Sequence, residues 1–177
     1  MFAAGAVMVL ATSMAWAASP TARALLHTAE AQAQSSHRNV LVIFGASWCG
    51  WCHELDAFMK TSAVAPVLAK SFTVVHLDIE EHGARASQNT PGALALARHF
   101  RGSESLPFLV MLRPDGKLIA TSNRTGGPNS NVGYPVKPDE VAWFIEMVHR
   151  GAPGLTAAER KALRHQLTSF NRQHKLQ

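Results

Sequence analysis

Apolar and polar positions divide the chain into short β-period runs and longer stretches of helical period. Residues 40–44 form an unbroken apolar run, the pattern of a strand covered on both faces. Residues 72–79, FTVVHLDI, read similarly and predict a second central strand. Two further runs, 108–112 and 117–121, flank Arg113-Pro114-Asp115-Gly116; Asp-Gly between apolar runs is a strong hairpin signal.

Helical signals fill the intervals. Residues 22–33 are rich in Ala, Leu, Glu and Gln, good helix formers. In 50–60, Leu55, Phe58 and Met59 recur at helical spacing, with Glu54 and Asp56 in the early turns where carboxylates suit the dipole. A helix over 63–70 has Ser62 as its expected cap and Pro66 in its first turn. Thr90-Pro91 predicts a cap and first-turn proline for a helix to 101, closed by Gly102. Pro138 opens a helix with Val141, Phe144, Ile145 and Val148 on one face, ending at His149-Arg150-Gly151. Thr156 and Glu159 spell a capping box for a last helix with Leu163, Leu167 and Phe170 turned inward. Residues 80–89 read as a polar loop, and 123–137, rich in Gly, Asn, Ser and Pro, as a long one; loops of that length are functional or mobile.

The 177 residues, 47% of them hydrophobic, suffice for one ordinary core. Residues 1–17 carry no charged side chain and end in Ala15-Trp16-Ala17, which predicts a cleaved signal peptide and a periplasmic or secreted protein. The segment has no Lys or Arg, so an uncleaved membrane anchor is the alternative. The expected organisation is a signal peptide at 1–17, a main domain at 18–152 and a basic helix at 153–177 on the same domain. Five of the 17 basic residues, Arg160, Lys161, Arg164, Arg172 and Lys175, lie between 160 and 177, where there is no acid. A solvated face, or a weak contact with an acidic membrane surface, accounts for them. No aromatic interleaving points to nucleic acid.

The only two cysteines, Cys49 and Cys52, close too short a loop to restrain the unfolded chain much. Chemistry explains the pair better than stability, even in an oxidising compartment where structural bridges are common. A strand running through Gly45 and Ser47 into a helix places Cys49 at free N–H groups and a favourable dipole. Cys49 is thus the candidate nucleophile, and Cys52, one turn on, the resolving thiol. Trp48 can shield the sulfur and offer a flat surface to a peptide, whereas Trp51 serves equally well as a core aromatic. Cys49-Gly50-Trp51-Cys52-His53 is also the attachment pattern of c-type haem, an alternative electron-transfer function, disfavoured by the buried strand before it and the strand-rich remainder. Two cysteines and an adjacent histidine do not complete a tetrahedral zinc site.

The order helix, strand, Cys-x-x-Cys helix, strand, helix, strand, hairpin, strand, helix, with Leu106-Pro107 before the third strand, resembles thioredoxin over residues 22–150. Trp48-Cys49-Gly50-Trp51-Cys52-His53 is most similar to exported bacterial thioredoxin-like proteins. The resemblance implies an α/β fold with a central mixed sheet of about four strands flanked by helices, here with a C-terminal helical extension. It also implies a thiol-disulfide oxidoreductase with a redox-active Cys49-Cys52 disulfide and no metal or other cofactor. Pro107 would be the cis-proline facing the dithiol, and the Leu106 backbone would pair with an extended substrate, beside Trp48, Gly50 and Trp51. Partners would be proteins carrying thiols or disulfides, and a redox partner that resets the site. A non-catalytic module that binds thiol-containing clients is a further alternative.

Departures from thioredoxin are specific. Ile43 stands where that family has a buried aspartate, His76 where it has the aspartate's lysine partner, and Gly50-Trp51 replaces Gly-Pro. With the usual proton acceptor absent, His53 or His76 is a candidate for proton transfer at Cys52, because imidazole titrates in the right range. A satisfied core or surface histidine is the other reading of His76.

Overall fold

The structure is a computed structural model that describes residues 19–102 and 105–176; the expected signal peptide lies outside the described residues. Helix α1 (Ala22–Ser35) starts at Thr21, whose hydroxyl accepts the N–H of Ala24. It is followed by β1 (Asn39–Gly45), α2 (Gly50–Met59), α3 (Ala65–Ser71), β2 (Phe72–Asp78), α4 (Ala93–His99), β3 (Phe108–Leu112) and β4 (Leu118–Thr121). Helices α5 (Pro138–Gly151) and α6 (Ala157–Gln173) complete the order.

The four strands form one mixed sheet in the order β2-β1-β3-β4, with β1 parallel to β2 and antiparallel to β3, and β3 antiparallel to β4. This is the expected helix-flanked α/β sheet. Side chains of β1 and β3 alternate between two cores, as the pleat requires. Leu41, Ile43, Leu109 and Met111 meet Leu55, Phe58, Val141, Phe144, Leu163 and Leu167 from α2, α5 and α6. On the other face, Val40, Val42, Phe44, Phe108 and Val110 meet alanines of α1 and α4. The small alanines let those helices lie close, and each fully buried Leu, Phe or Val contributes about 1.5–3 kcal/mol. The capping box at Thr156 and Glu159 is formed, and α6 packs Leu163, Leu167 and Phe170 into the first core. Lys161, Arg164, Arg172 and Lys175 are exposed. Among the described residues no helix is long and apolar enough to cross a membrane.

Four expectations are corrected. Strand β2 lies at an edge of the sheet rather than its centre, with Val74 and His76 exposed. Among the described residues no further strand lies beyond it. Helix α3 begins after Val64 without a side-chain cap, so Ser62 does not serve as one. Helix α4 begins only after Gly92, in a left-handed conformation at φ 82°, because the Thr90 hydroxyl accepts the Asp78 N–H instead of capping the helix. The expected loop 80–89 contains a 3₁₀ turn, Gly83–Gln88.

Candidate active site

Strand β1 ends at Gly45, and the short turn Ala46-Ser47-Trp48 delivers Cys49 to the N-cap of α2. There Cys49 Sγ accepts the N–H of Cys52 at 3.1 Å, and its carbonyl accepts the N–H of His53 at 3.2 Å. Donors and dipole at this end of a helix favour negative charge on the sulfur. Cys49 and Cys52 are joined in a disulfide with Cα atoms 5.2 Å apart. Cys49 is only 5% exposed and Cys52 half-buried, so local electrostatics, not exposure, distinguishes Cys49. A Cβ on Gly45 would stand 3.4 Å from Cys52 Sγ; the glycine leaves the second sulfur its room.

The Leu106–Pro107 peptide bond is cis, the form the resemblance implies. Phe44 pairs with Phe108, so the next step of the antiparallel register sets Pro107 beside Gly45, at the sheet end occupied by Cys52. The long loop braces this turn. Asn131 Nδ2 donates to the carbonyls of Ser105 at 2.7 Å and Pro107 at 3.1 Å. Gly133, at φ 61°, lies so close that a Cβ would meet the Pro107 carbonyl at 3.4 Å. Among the described residues the backbone N–H and carbonyl of Leu106 have no hydrogen-bond partner. A cleft of about 270 Å³ adjoins them, lined by Trp51, Leu106, Asn131, Tyr134, Val136 and Lys137 among others.

Both tryptophans of the motif are exposed, Trp48 by 55% and Trp51 by 46%. Trp48 Nε1 donates to the Glu80 carbonyl at 2.7 Å and its ring stacks on His82. Trp51 stacks on Tyr134, with centroids 5.9 Å apart. Gly50 is the exposed first residue of α2, and nothing stands within 4 Å of where its Cβ would be.

Neither histidine is hydrogen-bonded to Cys52 among the described residues. His53 Nε2 lies 2.9 Å from the Ser47 carbonyl. His76 sits on β2 with Nδ1 3.8 Å from Asp56 Oδ1, lining a larger depression of about 610 Å³ that neither cysteine lines. Ile43, opposite His76 in the register, is buried.

Three residues shape the site without any motif to announce them. Glu81, 4% exposed, accepts both the N–H and the hydroxyl of Ser47. Those bonds from Ser47 hold its carboxyl below the usual glutamate range, helped by Arg85 and His82. Burial raises the carboxyl of nearby Asp78, with the Glu81 charge adding to it. Tyr134, 4% exposed, donates its hydroxyl to Asn171 Oδ1 at 2.5 Å. Burial pushes the phenol up, and the Glu54 carboxylate adds to this, so Tyr134 stays a neutral donor. An acid at the end of an apolar strand, the only tyrosine of the chain in a Gly-rich loop, and an asparagine beside the apolar stripe of α6 are the sequence signals they left. Among the described residues no cluster of three or more His, Cys, Asp or Glu side chains is placed to hold a metal.

A family model described as thioredoxin-like matches residues 21–114, the segment from the α1 cap into the β3–β4 turn. No curated protein matches the chain. Among solved structures, the disulphide isomerase from Xylella fastidiosa Temecula1 aligns at a TM-score of 0.50 and 19% identity, over 93% of this chain and 99% of that one. The oxidoreductase DsbH aligns at 0.48 and 17%, over 82% and 92%. The C-terminal domain of DsbD from Neisseria meningitidis, in its oxidised form, gives 0.42 and 22%, over 59% and 84%. The first of these shares the fold of this chain.

Proposed function

The chain belongs to the thioredoxin-like family, and on that premise we propose that it is a thiol-disulfide oxidoreductase acting on protein substrates through a mixed disulfide on Cys49. The observation that carries this is the Cys49–Cys52 disulfide at the N-terminus of α2, on the same sheet end as the cis Leu106–Pro107 turn. In the reducing direction, the Cys49 thiolate attacks one sulfur of a substrate disulfide. A Cys49–substrate bond forms, the substrate S–S bond breaks, and the departing thiolate takes a proton from solvent. Cys52, losing its proton, then attacks Cys49 Sγ. The internal disulfide forms, the second substrate thiol leaves, and a dithiol partner must reduce the pair for another cycle.

The helix N-terminus supports Cys49 as the attacking sulfur. The unpaired backbone of Leu106 suits an extended polypeptide, which would lie across Trp48 and Trp51. The haem alternative would consume both sulfurs in thioether bonds; here they are bonded to each other, and His53 turns to Ser47. The uncharged, largely apolar stretch at 1–17 supports an exported location, where disulfides persist.

Insulin reduction by the wild type, Cys49→Ser and Cys52→Ser is the test. Turnover is expected only in the wild type, and Cys52→Ser is expected to accumulate mixed disulfides through Cys49. No turnover and no trapped species would leave the non-catalytic binding module. Trapping by Cys49→Ser alone would reverse the two roles.

A further inference from the structure

Helix α6 lies outside the segment matched by the family model, yet its last turns reach the redox site by two routes. Asn171, 5% exposed, accepts the Tyr134 hydroxyl at 2.5 Å and donates its Nδ2 to the Pro135 carbonyl at 3.0 Å. One amide therefore fixes both the ring of Tyr134 and the backbone after it. Three residues on, His174 Nδ1 stands 2.8 Å from Oε2 of Glu54, two positions past Cys52 on α2, while its ring stacks on Phe170.

Tyr134 in turn carries Trp51, the residue between Gly50 and Cys52, with ring planes 12° from parallel. The two rings form one wall of the cleft beside Leu106. An indole that is 46% exposed would otherwise sample several rotamers. Stacking on a ring whose hydroxyl and following backbone are both tied removes that freedom before a substrate arrives.

We propose that Asn171 is a positioning residue for substrate recognition: through Tyr134 it presets Trp51 as the wall against which a disulfide-bearing polypeptide docks. This rests on the oxidoreductase reading and adds to it the C-terminal helix as part of the site. Pre-organised contacts raise affinity by lowering the ordering cost of binding. A small dithiol, which does not span the cleft, gains nothing from the wall.

Steady-state exchange with a disulfide-bonded dodecapeptide and with dithiothreitol tests this in the full chain carrying Asn171→Leu, Tyr134→Leu or Tyr134→Phe. Asn171→Leu and Tyr134→Leu are expected to raise KM for the peptide about tenfold. Tyr134→Phe, which keeps the stack and removes one hydroxyl, should raise it about threefold. For all three, kcat with the peptide, the rate with dithiothreitol and the Cys49–Cys52 equilibrium with glutathione should stay within about twofold of wild type.

Parallel losses on both substrates, or an unchanged peptide KM, would overturn the proposal. If Asn171→Leu fails to fold, Tyr134→Phe decides by the same two readings. Were the wild type inert toward every disulfide, the oxidoreductase reading would fall and docking with it. The positioning itself would then be judged by the near-UV circular dichroism band of Trp51, assigned with Trp51→Phe. A weakened band in Asn171→Leu would support it, and an unchanged band would overturn it.

Discussion

The carboxylate of Glu81 grips Ser47 at both its N–H and its hydroxyl, two residues before Cys49. Arg85 donates to the same hydroxyl, and Asn89 holds the Glu81 backbone by donating to its carbonyl and accepting its N–H. The loop after β2 is thereby fastened to the turn that presents the dithiol. Glu81→Ala should lower Tm by about 5 °C and speed hydrogen exchange at the amides of 47–49 about tenfold or more, leaving the α5 amides unchanged. Unaltered exchange at Ser47 would show that the turn stands without Glu81.

Asn131 ties the carbonyls on either side of Leu106. Asn131→Leu keeps the branched shape while removing both bonds and the one Asn131 accepts from the Gly133 N–H, so the damage should concentrate on the backbone around Leu106, the proposed substrate edge. Peptide KM is expected to rise about fivefold, with the dithiothreitol rate within about twofold of wild type. Equal losses on both would mean that the loop supports the dithiol instead.

Phe58, 1% exposed on α2, meets Phe144 and Phe170 edge-on, at centroid distances of 6.4 and 5.7 Å. Phe58→Ala leaves a cavity where three helices converge, costing about 3–5 kcal/mol. Thermal unfolding should show Tm lower by about 10 °C. Adding Phe170→Ala should cost less than the sum of the single variants, since the two rings share their contacts.

Glu159 closes the capping box of α6 and pairs with Lys70. The Thr156 N–H, Lys70 and the Thr156 hydroxyl hold its carboxyl down at about 2, against an ordinary 4.5. A depressed folded value means that the stabilisation is complete above the ordinary value and disappears as pH falls toward about 2. Urea midpoints should therefore be lower for Glu159→Gln than for wild type at pH 7, with the gap closing between about pH 4.5 and 2. A gap independent of pH would remove the Glu159 charge from the explanation.

Local chemistry made much of this readable from residues alone. The β1 run, the cysteines at the start of α2, the Asp115-Gly116 turn and the Thr156 cap are each decided within a few neighbouring residues. The edge position of β2 was not readable, because FTVVHLDI is apolar enough for a central strand and its outer neighbour is a matter of topology. Ser62 and Thr90 are sound cap residues by type, yet Thr90 is drawn to the Asp78 N–H by the tertiary fold. Glu81, Tyr134 and Asn171 escaped for the same reason: each acts on a residue far along the chain, and no spacing rule links them to the cysteines.

The pairing of β1 with β3 carries a consequence for how activity is acquired. The cysteines follow β1 and the Leu106-Pro107 turn precedes β3, so in a chain whose strands have not met the dithiol helix and the proposed docking edge lie apart. Disulfide exchange with a peptide, measured during refolding, should thus appear together with sheet assembly, making the reaction an internal clock for the joining of distant halves of the chain.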